Sequence, residues 1–329
     1  MNKNTSHVLT ALLNGCTTSA EVAKFLRDGE IRTIQRALER LLVLNLVSQS
    51  GPTNAPKYDV LYGNLTHYDI AEKFLLVDDR PETSVNYAYI EWLETKTAHE
   101  LDALFGYDST THKKQSLSPR DLEYLTVELS WKSSSLEGNT YTLLDTQLLL
   151  TEGIKPKNRT EFETQMILNH KNAVAFIVEN PEEFSGTIGF AAIEELHRII
   201  GDNLGIDNQV RKKVVRISAS NYIPPAGPQH LRELADRILS IISRPHSPET
   251  RALLALGLVP YLQIFEDGNK RTGRMLSNAI LISTLGYGYS LRKVEARSLA
   301  LAYLRLYEFN SFKTLQKIFD NELKQTVNV

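Results

Sequence analysis

The sequence predicts a mainly α-helical chain that opens with a small α+β unit. Three observations carry this. Beyond Ser118-Pro119, apolar residues recur at helical spacing in segment after segment, with one strand-like interruption. Before residue 65, helical patterns give way to two short β-prone runs around a Gly-Pro break. Hydrophobic content of 42% and charged content of 23% are those of an ordinary globular protein, and 329 residues suffice for two or three domains.

An apolar helix is expected over about Ser6–Leu13. Thr18-Ser-Ala-Glu21 has the form of a capping box, in which hydroxyl and carboxylate satisfy the free N–H groups of a helix start. The short helix it opens, AEVAKFLRD, ends near Gly29. A second, EIRTIQRALERLLVLN, carries Ile31, Ile34, Leu38, Leu41 and Leu42 on one face. LVSQS and KYDVLYG then read as two strands around a tight loop. This order resembles a winged helix-turn-helix domain over residues 1–65, a motif whose second paired helix enters the DNA major groove. Arg32, Thr33, Gln35, Arg36 and Arg40 point outward on that helix and are the expected DNA-binding set. Residues 1–65 hold seven Lys/Arg against five Asp/Glu, a charge of +2 that leaves −4 for the remainder. Winged helices also serve as protein–protein modules, so both readings stand. The net charge of −2 excludes the whole molecule as a polyanion binder and confines any nucleic-acid contact to a local patch.

Residues 66–117 read as a connector. Two polar, turn-rich stretches, DDRPETS and GYDSTTHKKQS, flank one helix, YAYIEWLETKTAHELDALF. Ser118-Pro119 is a good cap and first-turn pair. Helices are then expected over residues 119–136, 141–150, 160–179, 189–203, 229–244, 248–265, 270–285, 294–308 and 313–326, with KVVRISASNYIPP, residues 213–225, as the strand-like piece. Cys16 is the single cysteine, so no internal disulfide forms. MNKNTSHVLTALLNG lacks the long apolar core and cleavage site of a signal peptide, and no apolar run approaches 18 residues. A cytoplasmic protein without a membrane span is the expectation.

The chemistry concentrates in YLQIFEDGNKRTGRML, Tyr261 to Leu276. A helix ends at Phe265, Glu266-Asp267-Gly268 turns, and a new helix starts near Asn269. The N–H groups and partial positive charge of a helix start favour phosphate. Gly268 lets backbone approach a ligand. Lys270, Arg271 and Arg274 add charge, and arginine grips phosphate with two parallel bonds. Asp267 stands where it can hold a hydrated Mg²⁺ between two phosphates. The residues alone thus point to a Mg-nucleotide or polyphosphate site, against the plainer alternative of a solvated, charged helix start.

The same stretch resembles the signature of the Fic (filamentation induced by cAMP) family, His-x-Phe-x-Asp/Glu-Gly-Asn-Gly/Lys-Arg-x-x-Arg. Phe265, Asp267, Gly268, Asn269, Lys270, Arg271 and Arg274 all fall in place. Those enzymes typically transfer AMP from ATP to a protein hydroxyl. The resemblance implies Asp267 for Mg²⁺, Asn269 and nearby backbone for the α/β-phosphates, Arg271 for the β-phosphate and Arg274 for the γ-phosphate. SSSLEGN, Ser133 to Asn139, resembles the family's inhibitory helix through Ser133, Glu137 and Gly138. The implied role of Glu137 is to pair with Arg274 and deny it to the γ-phosphate. VVRISASNYIPP resembles, more loosely, the family's flap, a β-hairpin that pins the target chain by strand addition, with Ser218, Ala219, Ser220, Asn221 and Tyr222 as its target-binding residues. HRIIGDNLG and RELADRIL fit as well. The implied architecture is a Fic-fold helical core with a β-hairpin flap over 118–329, its inhibitory helix near 119–138. ATP, Mg²⁺ and a target protein (or the chain itself) are the implied partners, and a homodimer is expected by analogy with other members.

One position departs from the pattern. Gln263 stands where the family has its histidine, and Ile264 where it usually has proline. A hydroxyl attacking the α-phosphorus must lose its proton, and general base catalysis contributes about 10²–10⁴ in rate. The glutamine amide accepts a hydrogen bond but is no base at neutral pH, though it can orient a hydroxyl. His170, His197 and His230 fall on expected helices at unrelated places and read as structural or surface residues. Three readings follow: a nucleotide-binding pseudoenzyme, a slow AMP transferase, and a DNA-binding regulator. Gln and His differ by one base of the codon, so the sequence is equally compatible with natural or introduced loss of an active parent's histidine.

Overall fold

The computed structural model describes residues 1–27, 29–76, 80–108 and 114–327. Residues 78–79 of DDRPETS and 109–113 of GYDSTTHKKQS lie outside the described residues. The elements run α1 (Lys3–Leu13), α2 (Ser19–Phe25), α3 (Ile31–Val43), β1 (Val47–Ser50), β2 (Lys57–Val60), α4 (Tyr62–Thr66), a 3-10 turn at Glu72–Phe74, β3 (Thr83–Ser84), α5 (Tyr87–Glu94), α6 (Ala98–Phe105), α7 (Pro119–Ser135), α8 (Leu143–Glu152), α9 (Glu161–Glu179), α10 (Glu182–Ser185), α11 (Phe190–Gly201), β4 (Tyr222–Ile223), α12 (Pro228–Ser243), α13 (Pro248–Leu262), α14 (Asn269–Leu285), α15 (Ala296–Phe309) and α16 (Lys313–Val327). The chain is mainly helical, as expected. No helix among the described residues is long and apolar enough to cross a membrane.

The residues form two compact units, and their division differs from the 1–65, 66–117 and 118–329 read off the sequence. One unit gathers Met1–Leu93, Val215–Pro225 and Arg297–Lys317; the other holds Glu94–Val214, Ala226–Ala296 and the chain from Ile318. The reason is apolar. Leu301, Leu304 and Phe309 of α15 pack into the same core as Val8, Leu9, Leu12, Ile34, Leu38, Leu41 and Leu65. Fully burying such side chains contributes about 1.5–3 kcal/mol each, which outweighs distance along the chain. Polar bonds follow the same path: Phe312 N–H donates to Thr66 O (2.9 Å) and Arg305 Nε to Ile70 O (2.6 Å).

Within this unit, α1 to α3 and a two-stranded ribbon appear in the expected order. Thr18 caps α2 in a complete capping box: its Oγ1 accepts from Glu21 N–H, and Glu21 Oε2 accepts from Thr18 N–H (3.0 Å). β1 and β2 are antiparallel, Val47 opposite Val60 and Ser50 opposite Lys57.

The expected hairpin over 213–225 is a correction. Its only strand among the described residues is β4, and β4 pairs in parallel with β3, Thr83 with Tyr222 and Ser84 with Ile223. Two features stop a hairpin. Ala219 turns the chain at φ +60°, and the carboxylate of Glu308, which also accepts from the Ser220 hydroxyl (2.9 Å), takes the Asn221 N–H (3.1 Å) that a partner strand would need. Arg80 pairs with the same carboxylate through Nε at 2.9 Å and donates to Ala219 O at 3.0 Å.

The second unit is built around α13 and α14. Every side chain from Glu249 to Leu262 is buried, the mark of a helix covered on all sides. A Cβ at Gly273 of α14 would lie 2.8 Å from the Pro260 ring, so glycine there sets how closely the two helices approach. α9, α10 and α11 pack on α14, α12 on α13, and α7 on α9. The single helix expected over 87–105 breaks at Thr97, which caps α6 in a second capping box with Glu100.

Candidate functional site

α13 ends three residues earlier than its apolar pattern suggests. Gln263 takes the left-handed conformation at φ +50° and closes the helix. Buried Arg211 holds it there: Nε donates to Gln263 O (2.5 Å), and the Arg211 N–H donates to Ile264 O (3.1 Å). The Gln263 side chain turns inward. Its Nε2 donates to Pro260 O (2.7 Å) and its Oε1 accepts from Asn269 Nδ2 (3.3 Å). One hydrogen and one lone pair of the amide are thus engaged within the loop.

Asn269 braces the same loop. Its Oδ1 accepts from Phe265 N–H (2.9 Å) and its Nδ2 donates to Phe265 O (2.8 Å). The Phe265 ring lies flat on His197, centroids 3.6 Å apart at 9°. His197 Nε2 donates to Asp267 O at 2.9 Å, since a carbonyl can only accept. Burial pushes His197 down to about 4, and Arg271 adds to the shift against that hydrogen bond. Gly268 has φ +80°, and a Cβ there would stand 3.2 Å from His197 Nε2. Only glycine suits both the turn and the ring.

α14 thus begins with no side chain capping it. Asp267, exposed, accepts from Gly268 N–H (2.5 Å) and pairs with Arg271 Nη2 (3.0 Å). Lys270 is half-buried beside it, while Arg271 and Arg274 are buried. Arg271 Nε and Nη1 and Arg274 Nη1 have no hydrogen-bond partner among the described residues.

Arg274 is the most constrained of these. Its side chain is 0% exposed, so its charge requires a partner, and Glu137, 23% exposed, supplies one at 2.7 Å. Nε donates to Ser133 Oγ (3.0 Å) and Nη2 to Ser133 O (3.1 Å). Burial works to raise the Glu137 carboxyl, but Arg274, Lys270 and Arg271 together bring it below its ordinary value. Gly138 is exposed in the turn that closes α7.

The structure therefore brings together Gln263, Asp267, Gly268, Asn269, Lys270, Arg271 and Arg274 with Ser133, Glu137 and Gly138. The remaining expected residues belong to the other unit. Ala219, Ser220, Asn221 and Tyr222 make the contacts with Arg80, Thr83 and Glu308 described above, and Ser218 lies beside them in the same segment. Arg32, Gln35, Arg36 and Arg40 are exposed on α3, with Thr33 half-buried. Three residues escape the sequence reading: Arg211, His170 and His197. The two histidines reach the site, one beneath Ser133 and one beneath Gly268, rather than lying at unrelated places. His170 carries no local signal beyond a histidine on an otherwise apolar helix face, whereas His197 opens HRIIGDNLG, a stretch that fits the family resemblance. His230 is half-buried on α12.

Residues 187–281 match the family model described as Fic/DOC family, a span that includes Gln263 to Arg274 but not Ser133 to Gly138. The chain is 28% identical over 156 residues to the protein adenylyltransferase Fic of Nematostella vectensis, covering 46% of this chain and 36% of that protein. It is 27% identical over 223 residues to the protein adenylyltransferase Fic of Drosophila melanogaster, covering 66% of this chain and 44% of that protein. The chain thus spans less than half the length of these curated relatives. Among solved structures, a segment of Fic-1 from C. elegans superposes with a TM-score of 0.52 at 18% identity, over 93% of this chain and 84% of that one, which speaks to the fold. With a loop turned at Gly268 between two buried helices and that match across it, the chain carries a Fic domain at residues 187–281.

Proposed function

We propose that the stretch from Gln263 to Arg274 binds the phosphates of Mg²⁺–ATP, and that the chain is of protein adenylyltransferase type, restrained by Glu137 and by the lack of a base at position 263. The observation that carries this reading is the buried Arg274–Glu137 pair, set among guanidinium N–H groups that no described atom satisfies. A buried donor left unpaired costs free energy, and phosphate oxygens suit the planar guanidinium fork. The uncapped start of α14 favours the same anion. In this reading Arg271 takes the β-phosphate and Arg274 the γ-phosphate once Glu137 releases it. Asn269 and Lys270 offer backbone N–H groups, the Gly268 N–H being held by Asp267; the Asn269 side chain stays with Phe265. Bound Mg²⁺ neutralises phosphate charge, and Asp267 is the exposed carboxylate of the loop that suits an ion keeping water and phosphate oxygen as its other ligands. An amide is no base at neutral pH, so Gln263 leaves the hydroxyl of a target protein without a proton acceptor, which makes the transferase weak or silent as it stands.

Calorimetry with Mg-ATP on the full chain tests this. Glu137→Gly is expected to bind about 10- to 100-fold more tightly than the native chain, because a hydrogen bond to a charged group is worth about 1.5–3 kcal/mol. Absence of binding by both proteins sinks the reading.

A second reading concerns residues 1–65. Arg32, Arg36 and Arg40 recur every four residues on the solvent side of α3, and the β1–β2 ribbon follows in the place of a wing. We propose a winged-helix module whose α3 contacts DNA. Gel shifts of the full chain on genomic fragments are expected to weaken as salt rises, and to weaken further with Arg36→Ala. No shift at low salt ends this reading.

A further inference from the structure

We propose that His170, on α9, is a positioning residue for the Glu137–Arg274 pairing: it orients the Ser133 hydroxyl so that the guanidinium stays turned toward Glu137. This rests on the reading that Glu137 restrains nucleotide binding, and it adds a participant from a helix outside the matched Fic segment.

A serine hydroxyl has one proton and two lone pairs, and its rotation is free until a partner fixes it. Here the partner is His170. Its Nδ1 lies 2.8 Å from Met166 O, one turn back on α9, and its Nε2 lies 2.8 Å from Ser133 Oγ. A carbonyl only accepts, so Nδ1 carries the ring proton and Nε2 takes the proton of Ser133. That leaves a lone pair of Ser133 Oγ for Arg274 Nε at 3.0 Å. The imidazole is fully buried and stays neutral: burial pushes it down to about 3, with Arg271 and Arg274 opposing protonation further. An unbroken hydrogen-bonded path therefore runs from the α9 backbone through His170, Ser133 and Arg274 to Glu137. Its first four members are buried.

α9 also holds the chain just past Glu137. Glu163 Oε1 accepts from the Thr140 N–H (2.9 Å) and hydroxyl (2.6 Å), Asn139 Nδ2 donates to Glu163 O (2.8 Å), and the Tyr141 and Thr164 hydroxyls are 2.6 Å apart. The inhibitory segment is thus gripped from α9 on both sides of Glu137. The geometry assigns to α9 the setting of Arg274's availability.

The test is Mg-ATP calorimetry on the full chain in two backgrounds. His170→Leu removes the acceptor with little change in volume and is expected to tighten binding about fivefold, the scale of one hydrogen bond. In a Glu137→Gly background the same substitution is expected to change affinity by less than about twofold, since the pairing it serves is gone. His170→Gln, whose amide oxygen accepts from Ser133, restores the native affinity. A His170→Leu chain that binds no tighter, while Glu137→Gly does, overturns the inference and leaves the nucleotide reading standing. So does an equal gain in both backgrounds. If Glu137→Gly changes nothing, the restraint reading falls and takes this one with it. Should His170→Leu fail to fold, Ser133→Ala breaks the same path with the imidazole in place. It is expected to give the same gain, again lost in the Glu137→Gly background, and no gain overturns the inference.

Discussion

Replacing Gln263 by histidine in a chain that also carries Glu137→Gly is expected to raise AMP transfer to protein by about 10²–10⁴-fold, the span of general base catalysis. The loop is already shaped for the imidazole. Pro260 O accepts from the Gln263 amide at 2.7 Å, and it can accept a ring N–H instead. A ring that donates one nitrogen to that carbonyl keeps the other unprotonated and available to a substrate hydroxyl. The left-handed backbone at position 263, φ +50°, is one that histidine adopts more readily than most residues. Asn269 loses its bond to the glutamine oxygen but keeps both bonds to Phe265, so the loop should hold its course. Incorporation of α-labelled AMP into protein is the readout. The double variant should label far above either single one, because one change frees Arg274 and the other supplies the base. Labelling of the double variant at the native level would remove position 263 from the chemistry.

Glu308→Ala is expected to cost the N-terminal unit about 3–5 kcal/mol, the scale of breaking a buried ion pair by removing one partner. The Glu308 side chain is 3% exposed and that of Arg80 9%. The carboxylate accepts from two nitrogens of Arg80, from the Ser220 hydroxyl and from the Asn221 N–H. Without it Arg80 is a stranded charge, and the turn at Ala219 loses its anchor. Chemical denaturation measures the loss, and amide exchange at Asn221 should accelerate with it. Replacing Arg80 and Glu308 together by leucine should recover only the part of the loss that comes from the stranded charge, since the Ser220 hydroxyl and the Asn221 N–H still lack their acceptor. A loss under about 1 kcal/mol for Glu308→Ala would mean the pair behaves as a solvated surface bridge.

What the sequence made legible was local. Thr18 and Glu21 announce a capping box because the bonds close within four residues. The turn at Gly268, the start of α14 and the Glu137–Arg274 pair were legible because a run of charged residues with a glycine has few uses, and because two separate motifs resemble one family. The Thr97–Glu100 box was equally legible but lay hidden in a pattern that read as one long helix. The end of α13 at Leu262 was not legible, because Arg211, some fifty residues earlier, pulls on the carbonyls of Gln263 and Ile264. β4 looked like half of a hairpin because alternation does not name a partner; the partner is Thr83–Ser84, and a buried carboxylate on α15 enforces it. His170 and His197 looked inert for the same reason: their work is done across helices.

The place of α15 in the N-terminal core has a consequence for how the chain is made. Val8 and Leu301 lie roughly 290 residues apart yet share one core, and contacts of that range form late and slowly. As the polypeptide emerges, its first 93 residues wait with apolar surface uncovered while α6 to α14 are synthesised, and can close only when Leu301, Leu304 and Phe309 arrive. The loop from Gln263 to Arg274 is complete before that moment. A product broken off between the two would carry every residue from Gln263 to Arg274 but an unfinished first unit, and the Arg32–Arg40 face of α3 would rest on a core still lacking three of its buried apolar side chains.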